Sequence, residues 1–175
     1  HYGAISFPKY QTSTFAHTGV GQSTCYDYSR VQNTTREELE KVAASLENGI
    51  DALALSSGMA AIALMMELFS PGDHLIVDAD LYGGSVRLFE QVSKKNGIDF
   101  TSIDCCCEDI EGQIRENTKA IYIETPTNPM MHVTDIAKTA ETAKRHGLFL
   151  IVDNTFLSPY FQNPLELGAD LVIHS

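Results

Sequence analysis

Five short groups of residues could do chemistry. Asp153 follows the apolar run Leu148-Phe149-Leu150-Ile151-Val152. A carboxylate placed there is partly desolvated and costly unless paired. A protonated pyridine nitrogen is a fitting partner, because the pair keeps such a ring cationic and able to accept electrons from a carbanion. Capping of the next turn is an equally good ordinary role. Ser57-Gly58-Met59 stands between an apolar stretch and a helical one. The first N–H groups of a helix lack partners and attract an anion, and a glycine lets a phosphate come close to the backbone. By itself this is an ordinary strand-to-helix turn. In Thr127-Asn128-Pro129 the amide of Asn128 can donate to a phenolate oxygen, with Pro126 and Pro129 stiffening the loop. Tyr82, in Leu81-Tyr82-Gly83-Gly84, offers an aromatic face for a planar ligand, although a single tyrosine is more often half-buried packing. Tyr28-x-Arg30 supplies a guanidinium fork suited to phosphate, or simply a surface arginine.

Other chemistries are disfavoured. Gly19-Val20-Gly21 begins like a dinucleotide-binding glycine pattern, but Thr24 stands where the third glycine belongs and no strand precedes it. No G-x-x-x-x-G-K-[ST] loop occurs. The six histidines show no H-E-x-x-H or other ligand spacing, so no metal is expected and His174 is read as packing. The four cysteines are Cys25 and the run Cys105-Cys106-Cys107, which is not a C-x-x-C clip; reduced thiols at a strand end, in a cytoplasmic protein, are expected. A net charge of -11 disfavours nucleic acid and anionic lipid as partners. No apolar run approaches the ~18 residues of a membrane span.

The elements that must position these groups alternate. Residues 1–33, rich in Tyr, Ser, Thr and Gly, read as an extended arm. Thr35 with Glu38 suggests a capping box, and Leu39, Val42, Ala43 and Leu46 share a helical face ended at Asn48-Gly49. Ala52–Leu55 reads as a short strand, and Met59 to Met66 as a helix stopped by Pro71-Gly72. His74–Val77 is a strand, Val86 to Val92 a helix closed by Gly97, Phe100–Ile103 a strand, and Glu108–Arg115 a short helix. Ala120–Ile123 is a strand, Asp135–His146 a helix capped at Thr134, Leu148–Val152 a strand and Leu171–Ile173 another. This order predicts one α/β domain, with a mostly parallel sheet and helices on both faces. Ligands of such sheets bind beyond the carboxyl ends of the strands, where the candidate residues fall.

Taken in order, Tyr28-x-Arg30, Ser57-Gly58-Met59, Leu81-Tyr82-Gly83-Gly84, Glu124-Thr125-Pro126-Thr127-Asn128-Pro129, Val152-Asp153-Asn154-Thr155-Phe156 and Gly168 to Ser175 closely resemble the Cys/Met-metabolism family of pyridoxal-phosphate enzymes, across essentially the whole chain. The family includes cystathionine γ-synthase, cystathionine γ-lyase, methionine γ-lyase and O-acetylhomoserine sulfhydrylase. The resemblance implies the aspartate-aminotransferase-like type I fold, with 34–175 as an incomplete cofactor-binding large domain. It also implies a homotetramer, a dimer of dimers in which the arm 1–33 reaches the neighbouring subunit's site. Gly58 and Met59 would offer N–H groups, and Ser175 its hydroxyl, to the phosphate of pyridoxal 5'-phosphate. Tyr28 and Arg30 would reach the phosphate of the neighbour. Tyr82 would stack on the ring and assist proton transfer, Asp153 would pair with the pyridine nitrogen, and Thr155 is a further ring contact. Asn128 would touch the phenolic oxygen or the substrate, and Arg87 would face the amino-acid substrate.

Family members place the Schiff-base lysine three residues after the serine matching Ser175. None of the seven lysines here has that context, and the C-terminal domain is likewise expected only in the intact protein. Asn33-Thr34-Thr35 departs from the family's Asn-Pro-Thr. The implied reaction removes an α-proton, then a β-proton, and expels a γ-substituent; a thiol takes its place, or the product collapses to a 2-oxo acid and ammonia. Tyr82 to Phe89 and Asp153 to Pro159 look most like γ-synthases, with γ-lyase and sulfhydrylase as alternatives. Gly84, where methionine γ-lyases usually carry cysteine, lowers the rank of that activity. The rivals of other classes are a cofactor-binding pseudoenzyme or fragment, and a nucleotide-binding module using the same anion site.

Overall fold

A computed structural model of the protein describes residues 3–175. The chain divides into two compact units, one up to Ala54 and the other Leu55–Ser175.

In the first unit the arm doubles back on itself. Thr14 bridges Tyr28, and the Phe15 and Ser29 N–H groups reach the carbonyls of Asp27 and Ser13 at 3.1 and 2.8 Å. Helix α1, Thr34–Glu47, follows. Its cap is Asn33 rather than Thr35: the Asn33 side chain accepts the Thr35 N–H, and the Thr35 hydroxyl instead accepts the Tyr10 N–H. The helix ends with Asn48 left-handed at φ 55°. Leu39, Val42 and Leu46 are all exposed. The strand expected at 52–55 does not form. The Ala54 N–H bonds the Glu40 side chain at 2.9 Å instead of a neighbouring strand, so no ladder holds the segment.

The second unit is a five-stranded, wholly parallel sheet in the order β2-β1-β3-β4-β5. The strands are β1 His74–Asp78, β2 Asp99–Ile103, β3 Thr118–Glu124, β4 Phe149–Asp153 and β5 Leu171–Ile173. Helix α2, Gly58–Met66, precedes β1; α3, Gly83–Leu88, continues into a π-turn at Phe89–Ser93; α4 is Ile136–His146 and α5 Ser158–Phe161. Alternate residues of the strands feed two cores. Leu75, Val77, Tyr122 and Ile151 pack with Ile62, Met65 and Phe89. Ile76, Ile121, Ile123, Leu150 and Val152 pack with Ile136, Ala140 and Ala143 of α4. Leu75, Ile76, Ile121, Leu150 and Ile151 are completely buried. Each contributes about 1.5–3 kcal/mol, against ~0–1 for a surface ion pair, so these cores set the frame. His74 clips three strands together: its ring nitrogens lie 2.8 Å from the hydroxyls of Thr118 and Thr101, and burial lowers its pKa.

Two expected details shift. The cap of α4 is Asp135, whose carboxylate accepts the Lys138 N–H at 3.0 Å, not Thr134. The helix expected over 108–115 is only a 3-10 turn at Glu111–Gln113, because the Asp104 carbonyl draws the Cys107 and Glu108 N–H groups into a tight turn first. No helix among the described residues is long and apolar enough to cross a membrane.

Candidate active site at the carboxyl edge of the sheet

Strand order 2-1-3 means that the chain leaves β1 on one side and β3 on the other, opening a crevice between their carboxyl ends. Two carboxylates brace that crevice crosswise. Glu124, the last residue of β3, accepts the Tyr82 backbone N–H at 2.8 Å and so fixes the loop after β1. Asp80, in the loop after β1, accepts the Thr127 hydroxyl and, at 2.9 Å, the Met130 N–H, fixing the loop that carries Asn128. Burial pushes the Glu124 carboxyl up to about 7, with the Tyr82 N–H pulling the other way.

Asp153 ends β4, in register with Glu124. It is buried, yet its partners are hydroxyls and an N–H. Oδ1 accepts the Thr155 hydroxyl at 2.6 Å and the Thr155 N–H at 3.0 Å, and Oδ2 lies 3.4 Å from the Tyr122 hydroxyl. Tyr122 is itself fully buried, and burial raises its pKa well above the usual value. The next residue, Asn154, is locked by exchange with Gln162: its amide donates to the Gln162 carbonyl at 2.8 Å and accepts the Gln162 side chain at 2.9 Å.

Gly58 opens α2 directly against Ser175. A Cβ at position 58 would sit 2.4 Å from the Ser175 Cβ and 2.5 Å from its hydroxyl oxygen, so only glycine permits the approach. The Ser57 hydroxyl caps the helix by accepting the Ala60 N–H at 3.1 Å, while helix geometry leaves the Gly58 and Met59 N–H groups without intrahelical partners. Gly84 plays a similar part: a Cβ there would meet Tyr82 Cε1 at 2.5 Å and the Met59 sulfur at 2.7 Å. Tyr82 is half-exposed, one edge of its ring lying against Gly84.

The sheet unit therefore gathers Gly58 with Ser175, Met59 with Tyr82, Tyr82 with Glu124, and Asp153 with Thr155. Asn128 sits on the loop that Asp80 holds, and Arg87 in the last turn of α3. In the first unit Arg30 donates to the Tyr28 hydroxyl at 2.8 Å, its guanidinium 5.4 Å from the ring centre. Sequence reading passed over the roles of Glu124, Asp80 and Tyr122. Glu124 carried the signal that marked Asp153, a carboxylate ending an apolar strand; for Tyr122 there was none.

The family pattern described as "Cys/Met metabolism PLP-dependent enzyme" matches residues 1–175. A Bacillus subtilis protein described as cystathionine gamma-synthase/O-acetylhomoserine (thiol)-lyase is 53% identical over 174 residues, 99% of this chain and 47% of its own. A second protein of that organism, described as cystathionine gamma-lyase, is 52% identical, over 99% of this chain and 46% of its own. A solved cystathionine gamma-lyase from Lactobacillus plantarum, complexed with L-serine, superposes with a TM-score of 0.93 at 50% identity, over 99% of this chain and 45% of that one. The chain spans about half the length of the curated relatives it matches.

Proposed function

The chain belongs to the family of Cys/Met metabolism PLP-dependent enzymes, and from that premise we propose that the whole protein replaces or eliminates the γ-substituent of homoserine esters or sulfur amino acids, in the manner of a cystathionine γ-synthase. The observation that carries the reading is the Gly58–Ser175 contact: an N-terminal helix turn and a hydroxyl meet where any Cβ would intrude. It suits the phosphate of pyridoxal phosphate, with Gly58 and Met59 donating N–H groups and Ser175 its hydroxyl. Asp153 suits the ring nitrogen, since among the described residues its second oxygen is met by a long contact to Tyr122. When bound, the cofactor supplies an electron sink for the carbanion left by α-proton removal.

The chain's own residues do the rest. Asp153 holds a proton on the ring nitrogen, and Thr155 holds Asp153. Tyr82 stacks on the ring and moves a proton at its phenol oxygen. Asn128 orients the phenolic oxygen or the substrate, and Arg87 faces the substrate. Tyr28 and Arg30 serve the phosphate of a neighbouring subunit, through the arm 1–33. The exposed Leu39, Val42 and Leu46 of α1 support burial in an assembly, which we read as a homotetramer. Four free thiols fit a reducing cytoplasm.

The γ-lyase and sulfhydrylase readings stay alongside, since relatives of each description match about equally well. The test is the purified whole protein with an O-acylhomoserine and cysteine, and separately with cystathionine. Cystathionine formed in the first assay supports the synthase. A 2-oxo acid from the second alone shifts the reading to a lyase. Retained cofactor with neither product leaves the pseudoenzyme.

A further inference from the structure

The Cys105-Cys106-Cys107 run reads from sequence as reduced thiols at a strand end, and in the fold its members part company. Cys105 is buried in the core beneath α4, while Cys106 and Cys107 are exposed on the rim after β2. Across from them, in the loop after β3, stands His132. Asp104, Cys106 and His132 each present one donor atom, an oxygen, a sulfur and a nitrogen, all within 4.8 Å of one another. We propose that Asp104, Cys106 and His132 form a site for a borderline-soft divalent cation, zinc or cobalt, in addition to the cofactor site.

Three features argue for it. The donors are the right kind: thiolate, imidazole and carboxylate together select zinc-like ions and disfavour magnesium or calcium, which take oxygen alone. They are also held by contacts among themselves and their neighbours, one of which, the Cys106 sulfur 2.9 Å from the Cys107 sulfur, the metal would replace. Asp104 Oδ1 accepts the Cys106 N–H at 3.1 Å, and its other oxygen faces His132 Nδ1 at 3.7 Å. His132 is pinned through its backbone by a reciprocal pair with Thr127: its N–H donates to the Thr127 hydroxyl at 2.9 Å, and its carbonyl accepts the Thr127 N–H at 3.0 Å. Donor atoms around one tetrahedral zinc stand about 3.3–3.8 Å apart, so closure of the triad is a movement of roughly 1 Å by exposed side chains. Finally, the surroundings are negative. Asp78 is buried nearby with its Oδ2 lacking a hydrogen-bond partner among the described residues. Glu108 stands beside the triad, its carboxylate accepting the Asp104 N–H at 2.8 Å. A dication relieves this crowding.

Binding exchanges one proton for the metal: the Cys106 S–H bond breaks, the sulfur–metal bond forms, and the proton goes to solvent. No oxidation occurs, and water fills the fourth position. Affinity therefore rises with pH. Because His132 is tied to Thr127, the metal would link the loop after β2 to the loop carrying Asn128.

The test does not depend on the proposed reaction. The whole, cofactor-loaded protein is reduced, stripped of metal and titrated anaerobically with cobalt(II). The expected result is one equivalent per chain, with intense tetrahedral d–d bands in the red, clear of pyridoxal absorption, and bleached by zinc(II). Cys106→Ser and, independently, His132→Gln should each weaken binding more than about a hundredfold, the upper end of what an outer-shell contact costs. Cys25→Ser should leave it unchanged. Only weak octahedral bands, or tetrahedral bands that survive both Cys106→Ser and His132→Gln, would overturn the proposal, because the cobalt would then be adventitious or bound elsewhere.

Discussion

Glu124 and Asp153 are register partners at the ends of adjacent strands, each following a run of apolar residues, and their surroundings make them different groups. Asp153 keeps a hydroxyl and an N–H on one oxygen and so is solvated by the protein itself. Glu124 has backbone N–H partners but faces other carboxylates, Asp153 and Asp80 among them, and burial carries it to about 7. The half of the edge beyond β4 and β5 holds the Gly58–Ser175 contact and the buried Asp153, which on the proposed function would receive an anion and a cationic ring. The half beyond β1 and β3 is a brace that holds loops. On that reading, a carboxylate at a strand end is a ligand group or a strut according to what donates to it.

The comparison breaks first at Asp153. With Asp153→Asn, kcat of the whole protein should fall on the order of 10²- to 10³-fold, the size of a lost preorganised charge, with the fold intact by circular dichroism. Equal loss in Glu124→Gln would erase the distinction between ligand and strut. Next, Gly58→Val should lower affinity for pyridoxal phosphate about a hundredfold, measured by equilibrium dialysis, since the new side chain must displace Ser175. Unchanged affinity would remove the anion cradle.

The strut is probed by pH. Folded Glu124 takes up its proton at about 7, against an ordinary 4.5, so between these values the native state binds more protons than the unfolded one. Its contribution therefore falls as pH rises through that window. Glu124→Gln should gain about 2–3 kcal/mol relative to the parent between pH 4.5 and pH 7, read from urea melts of both proteins. Taking the difference cancels other titrating groups, among them His74, whose lowered pKa acts in the opposite sense. A flat difference would mean that Glu124 is solvated. The smallest effect belongs to Thr155→Val, which removes one hydroxyl from Asp153 and should cost about 1–1.5 kcal/mol in the same melts.

Much of this was legible in the residues. Continuous apolar runs such as 148–152 declared buried parallel strands, and Gly97 and Gly147 marked where helices stop, both at positive φ. Where the reading slipped, side chains had competed for backbone groups: Asn33 took the α1 cap from Thr35, and Glu40 took the Ala54 N–H that a strand would have used. The sequence by itself determined the alternation of elements, the family and the candidate residues, because hydrophobic period, turn chemistry and motif order are local properties of the chain. Only the tertiary structure decided which carboxylate is a strut, that Gly58 is glycine because Ser175 lies against it, and that Cys106 meets His132. Those facts depend on strand order, which brings residues distant along the chain to one edge, and on burial, which sets what each charge can find as a partner.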